Sequence, residues 1–174
     1  MIDYEVIYSK RRTISLSIGG DGRPILRAPN GTKKKRLEEI LKKHADWIES
    51  HRESAIKRAE ADESLTEERI TTLKKDAKAR LIPLTAHYAR ILGVSYGKIT
   101  ITSAKTRFGS CSSRGNISYS YRLMRFPAEA QEYVVVHELC HRLHMNHSAA
   151  FYEAIERVLP DYKARRKLLK VIPE

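Results

Sequence analysis

Four of the chain's seven histidines, His137, His141, His144 and His147, fall within eleven positions, and the first two frame the sequence His137-Glu138-Leu139-Cys140-His141. Residues four apart on an α-helix lie one turn apart on one face, about 6 Å between Cα atoms, so two imidazoles can reach one Zn²⁺ at ~2.0–2.1 Å. Glu138 follows the first of them and projects beside the metal. There a carboxylate can take a proton from an activated water and later pass it to a leaving group. A solvated helix with incidental histidines is the plain alternative. The run Val134-Val135-Val136 weighs against it, because a buried helix carries such polar residues only with a metal or hydrogen-bond partners.

Two histidines leave the site short of a ligand. His144 continues the stripe of His137 and His141, but sits about 10 Å along the axis from the first, and three rings in a row close poorly around a tetrahedral ion. His147 is favoured instead, with Asn146 in a left-handed conformation turning the chain back towards the metal. His144 is then a group outside the first ring of ligands. Glu153 and Glu156, on the helix that follows, are weaker rivals.

The elements that must position these residues can be read from period and punctuation. Residues 4–28 alternate, with Ile14, Leu16 and Ile18 on one face and a turn at Gly19-Gly20-Asp21-Gly22, which predicts a β-hairpin or small antiparallel sheet. Thr32 is placed to cap a helix running to about Ala59, with Leu37, Ile40, Leu41, Trp47 and Ile48 on its apolar side. After a joint at Ala61–Ser64, Thr66 caps a second helix whose stripe is Leu73, Ala77, Leu81, Leu84, Tyr88 and Ile91. Pro83 should kink or divide it, and Gly93 ends it. Three short strands follow, the last two a hairpin about Ser113-Arg114-Gly115. Pro127 opens the histidine-bearing helix, and Ser148 and Asp161 cap two short helices separated at Pro160. The fold class is therefore α+β, with residues 1–63 a β-hairpin plus helix region and residues 64–174 a catalytic domain, the two expected to form one compact unit.

With 174 residues, 41% of them apolar, and a mean hydropathy of -0.49, the chain suits a globular domain rather than a disordered one. No apolar run of membrane-spanning length occurs and the start lacks a secretory pattern, so a cytoplasmic location and no membrane partner are expected. Cys111 and Cys140 are too few for a disulfide framework and read most simply as small buried residues. The net charge of +12, with 33 Lys and Arg against 21 Asp and Glu, attracts phosphates and acidic surfaces. Much of it lies in runs such as Lys33–Arg36 that a solvated helix face would also explain.

The sequence HELCHRLHMNHS, with Phe151 and Leu159-Pro160-Asp161-Tyr162-Lys163-Ala164-Arg165-Arg166 after it, follows Thr106-Arg107-Phe108-Gly109-Ser110-Cys111-Ser112-Ser113-Arg114-Gly115-Asn116-Ile117. Together these segments closely resemble the YgjP-like metallopeptidase domain family, and Arg11–Leu16 and Trp47-Ile48 resemble its N-terminal signatures. Phe108 stands where members usually have Trp. The resemblance implies a small zincin core with a backing helix, a short antiparallel sheet and an HExxH helix. It carries His137, His141 and His147 over as zinc ligands and Glu138 as the catalytic acid/base. The His-x5-His spacing is also similar to that of metzincins and of proteases acting on DNA–protein crosslinks, but the metzincin glycine is absent.

The expected activity is thus that of a zinc-dependent metallohydrolase, a metallopeptidase first, with one Zn²⁺ per chain or another divalent metal in its place. An edge strand around Phe108–Cys111 could hold an extended peptide. Arg107, Tyr119, Tyr121 and Arg122 are the candidates for substrate binding or for a donor to the developing oxyanion, each also explicable as a packing or surface residue. Two alternatives come from the basic charge. Arg107, Ser110, Ser112, Ser113 and Arg114 could bind the phosphates of a nucleotide for pyrophosphohydrolase chemistry, or basic helices could hold a protease on nucleic acid.

Overall fold

The computed structural model describes residues 3–170. Contacts divide the chain into two compact units, Met1–Ser64 and Leu65–Glu174. The described residues form six α-helices and two three-stranded sheets, an α+β fold. None of these helices is long and apolar enough to cross a membrane.

In the first unit β3 (Pro24–Pro29) is central, with β1 (Glu5–Ser9) parallel to it on one side and β2 (Ser15–Ile18) antiparallel on the other. The expected hairpin is there, β2 and β3 joined by the Gly19–Gly22 turn, but β1 adds to the far edge of β3 in parallel, so the whole sheet is mixed rather than antiparallel. Period-2 alternation sends Leu26 and Ala28 inward, where they meet Leu37 and Leu41 of α1 (Lys34–Lys43) and Ile48 of α2 (Ala45–Glu63). One long helix was expected here. Instead His44 leaves helical geometry, at φ -111° and ψ 21°, and separates α1 from α2. Thr32 does not cap α1; its hydroxyl donates to the Pro29 carbonyl at 2.7 Å. Nor is Trp47 in the core: it is 38% exposed and stacks on His51, one turn on, with ring centroids 4.5 Å apart.

The second unit opens on α3 (Glu67–Leu92). Thr66 caps it by accepting from the Arg69 N–H at 3.2 Å, two glutamates occupy its first turn, and Gly93 at φ 66° ends it. Pro83 does not divide α3, which runs through it, and Ile91 is exposed rather than part of the buried stripe. A second mixed sheet follows in the order β4 (Ile99–Thr102), β6 (Ile117–Ser120), β5 (Gly109–Cys111), with β4 parallel and β5 antiparallel to β6. The antiparallel sheet implied by the resemblance is thus corrected here too, since β4 and β6 run the same way. A 3-10 turn over Tyr121–Arg125 leads to α4 (Ala128–Cys140), then α5 (Ala149–Val158) and α6 (Tyr162–Leu168).

The core of this unit gathers about α4. Val134, Val135, Val136, Leu139 and Cys140 are all buried, so the helix is apolar around most of its circumference, as a central helix must be. Leu81 of α3, Ile117 and Tyr119 of β6 and Phe151 and Ile155 of α5 pack with them. The histidines lie at the C-terminal end of α4, where the core meets solvent. Both cysteines are free thiols, Cys140 buried and Cys111 half-buried.

Candidate metal centre

His137 lies in the last turn of α4 and His141 caps its end, so the helix alone places them on one face. Beyond His141 the backbone tightens: Arg142 and Leu143 donate to the carbonyls three residues back, and His144 to that of Cys140. Asn146 is not left-handed, since no non-glycine residue among those described has positive φ. The tight turn, rather than an αL residue, sends the chain back to the helix end and delivers His147.

The three rings close into a near-equilateral triangle, with centroids 5.0, 5.0 and 4.8 Å apart. One ligand atom from each lies within 4.8 Å of the others. The Nε2 atoms of His137 and His147 are 3.2 Å apart. Two ligands on a tetrahedral ion with bonds of about 2.0–2.1 Å stand about 3.3–3.4 Å apart, so this pair already has the spacing of one metal edge. His144 is not part of the triangle. Its carbonyl lies 3.2 Å from Nδ1 of His141, an arrangement that puts the proton on Nδ1 and leaves Nε2 free to ligate. Nδ1 of His137 is buried with no such partner.

Burial disfavours the charged form of His137 and His141, and a neutral imidazole is the form that can bind a metal. Burial pushes the His137 pKa down to about 3, with the neighbouring histidines and Arg166 adding to the effect, and lowers that of His141 as well. Phe151 forms the apolar floor: it is fully buried and its ring lies 4.9, 4.7 and 4.8 Å from those of His137, His141 and His147. Phe151→Ala should therefore cost about 3–5 kcal/mol of stability and loosen all three rings, which urea unfolding together with zinc titration would show.

Glu138 points to the other side, towards β5. It is 5% exposed, and burial raises its carboxyl to about pKa 7, with the Arg107 guanidinium pulling the other way. Its carboxylate lies against Gly109. A Cβ at that glycine would come within 2.6 Å of Glu138 Oε1 and 2.7 Å of its Cγ.

The arrangement is a three-imidazole group suited to a metal ion, next in the chain to one carboxyl that burial raises to about pKa 7. The sequence model of the YgjP-like, metallopeptidase domain family matches residues 52–171, well over half the chain. The chain belongs to the YgjP-like metallopeptidase family. No curated protein matches it. Two solved structures resemble this YgjP-like chain in part. The metallopeptidase zymogen of Pyrococcus abyssi abylysin is 25% identical and aligns over 51% of this chain and 90% of its own, with a TM-score of 0.47. That of Methanocaldococcus jannaschii jannalysin is 16% identical over 52% of this chain and 97% of its own, with a TM-score of 0.45.

The other candidates of this YgjP-like site separate by position. Arg107 is exposed and close enough to Glu138 to bias its charge. Tyr119 is fully buried, its hydroxyl hydrogen-bonded to Thr85 at 3.0 Å. Tyr121 is buried under the Arg122 guanidinium, 4.7 Å from the ring centroid, and Arg122 donates to the Ser103 carbonyl at 2.8 Å. These three brace the core and the loop before β5. Sequence reasoning missed the contacts of Gly109 and Phe151 with Glu138 and the imidazoles: a glycine on a strand and an aromatic on a helix carry no chemical signature. Gly109→Ala should displace the Glu138 carboxylate and reduce kcat by about 10²-fold with metal content unchanged, as steady-state kinetics and metal analysis would show.

Proposed function

We propose that this YgjP-like metallopeptidase is a zinc enzyme in which His137, His141 and His147 hold the metal and Glu138 moves the protons. The convergence of three ring nitrogens beside a buried carboxylate carries this reading. Zinc bound there would lower the pKa of a coordinated water towards ~7 and polarise a carbonyl. Burial raises the Glu138 carboxyl to about 7 in the metal-free chain, and the charge of bound zinc would draw it down again, which suits a residue that serves first as base and then as acid. Phe151 keeps the inner side of the rings dry.

Among the described residues β5 is an edge strand paired only with β6, and it lies against α4. An extended peptide laid along its open side by main-chain hydrogen bonds would pass over Glu138, and Arg107, the one exposed residue among the four candidate donors, would be free to meet the substrate carbonyl. Two free thiols support a reducing, cytoplasmic setting.

The phosphate reading has less behind it, because the turn that would bind phosphate is occupied with itself. Ser112 Oγ accepts from the Asn116 N–H at 3.1 Å, Gly115 donates to the Ser112 carbonyl, and the Ser113 carbonyl accepts from Arg142. Incubating the zinc-loaded chain with an unfolded protein and with nucleoside triphosphates in parallel tests this. Cleavage of the protein alone is expected, and release of phosphate or pyrophosphate alone would reverse the assignment.

A further inference from the structure

We propose that Arg166, on α6, anchors a substrate carboxylate beside the metal centre, so that the preferred substrates are acidic peptides. This rests on the peptidase reading above and names its substrate class.

Two adjacent arginines on α6 have opposite fates. Arg165 is bound on both sides, to Asp161 at 2.7 Å and to Glu132 of α4 at 2.5 Å, and so locks α6 to the central helix. Arg166 is exposed, and among the described residues its guanidinium has no hydrogen bond or ion pair. The two acidic groups that hold α6, Asp161 and Glu132, are already engaged by Arg165, and Glu132 also accepts from the Tyr88 hydroxyl.

Position follows from helix register. Tyr162 lies one turn before Arg166 on the same face of α6. Its ring stacks on Tyr152, with centroids 6.0 Å apart, and Tyr152 in turn lies 6.3 Å from His147. On α4, Tyr133 is one turn before His137 and 5.8 Å from it. By this register Arg166 continues the side of α6 that carries the Tyr162–Tyr152 wall leading to His147, and its charge reaches Tyr133 and His137. The charge of Arg107 reaches Glu138. Two exposed guanidinium groups therefore act on the site, and a guanidinium fork suits a carboxylate bidentately. The wider charge agrees: residues 65–174 hold 19 Lys and Arg against 10 Asp and Glu.

The test measures binding, using zinc-loaded E138Q so that no peptide is cut. Fluorescein-labelled tetraglutamate and tetraglutamine peptides are titrated by anisotropy at about 150 mM salt, where the Debye length is about 8 Å. Tetraglutamate should bind at least tenfold more tightly than tetraglutamine. Adding Arg166→Gln should remove most of that ratio, whereas Lys78→Gln, an equal loss of charge on α3, should leave it within twofold. Equal binding of the two peptides, or equal losses from the two substitutions, would overturn the assignment. The peptidase reading is judged separately, by whether the chain with Glu138 intact cleaves protein and E138Q does not.

Discussion

Glu138→Gln should reduce metal-dependent peptide cleavage by about 10²–10⁴-fold while one metal ion per chain remains bound. Gln matches Glu in shape and fits the same space against Gly109, so neither packing nor the three imidazoles is disturbed. What disappears is the group that accepts and returns a proton. A second consequence concerns the metal-free chain. Burial raises the folded carboxyl from 4.5 to about 7. A raised carboxyl pKa costs stability: nothing below pH 4.5, more as pH rises towards about 7, and the full amount above. Metal-free E138Q should therefore melt higher than metal-free wild type at pH 8, with the difference closing by pH 4. Thermal unfolding at the two pH values checks this, and metal analysis with cleavage rates checks the first result. Loss of the metal from E138Q would show Glu138 to be a ligand.

His147→Ala should remove both metal and activity, whereas His144→Ala should leave each within a few-fold. The contrast follows from how the two residues enter the site. His147 brings a ring nitrogen to 3.2 Å from that of His137 and supplies the one corner that α4 cannot. His144 faces His141 with its main-chain carbonyl, which an alanine retains. Losing an outer partner of a metal ligand typically costs 10–100-fold in affinity, and losing a ligand should exceed that. Competition with a chelating dye measures it in both variants. Tight binding by His147→Ala with loss in His144→Ala would invert the ligand set.

Much of this site was legible because its chemistry repeats with the helix. The spacing of His137 and His141 is a statement about one helical turn, and the valines before them mark a helix deep enough in the core to hold them rigidly. The position of His147 was legible too, but its cause was not. Asn146 invited a left-handed turn, whereas i→i+3 hydrogen bonds past Cys140 do the work. Gly109 and Phe151 were visible as part of a strand and of a family signature, but their contacts with Glu138 and the imidazoles were not, since close approach and packing exist only once β5 and α5 have met α4. The strand directions escaped for a related reason: alternation reveals strands, but β1 and β4 run parallel to their neighbours through pairings distant in sequence. The break at His44 has neither glycine nor proline to announce it.

The most direct test is a zinc titration of the metal-free chain that follows cleavage of an unfolded protein and hydrolysis of a nucleoside triphosphate in the same samples. Protein cleavage should be absent without metal, rise in proportion to added zinc and level off at one equivalent, with no nucleotide hydrolysis at any point. Cleavage that persists in the chelated chain, or a zinc response confined to the nucleotide, would contradict the account.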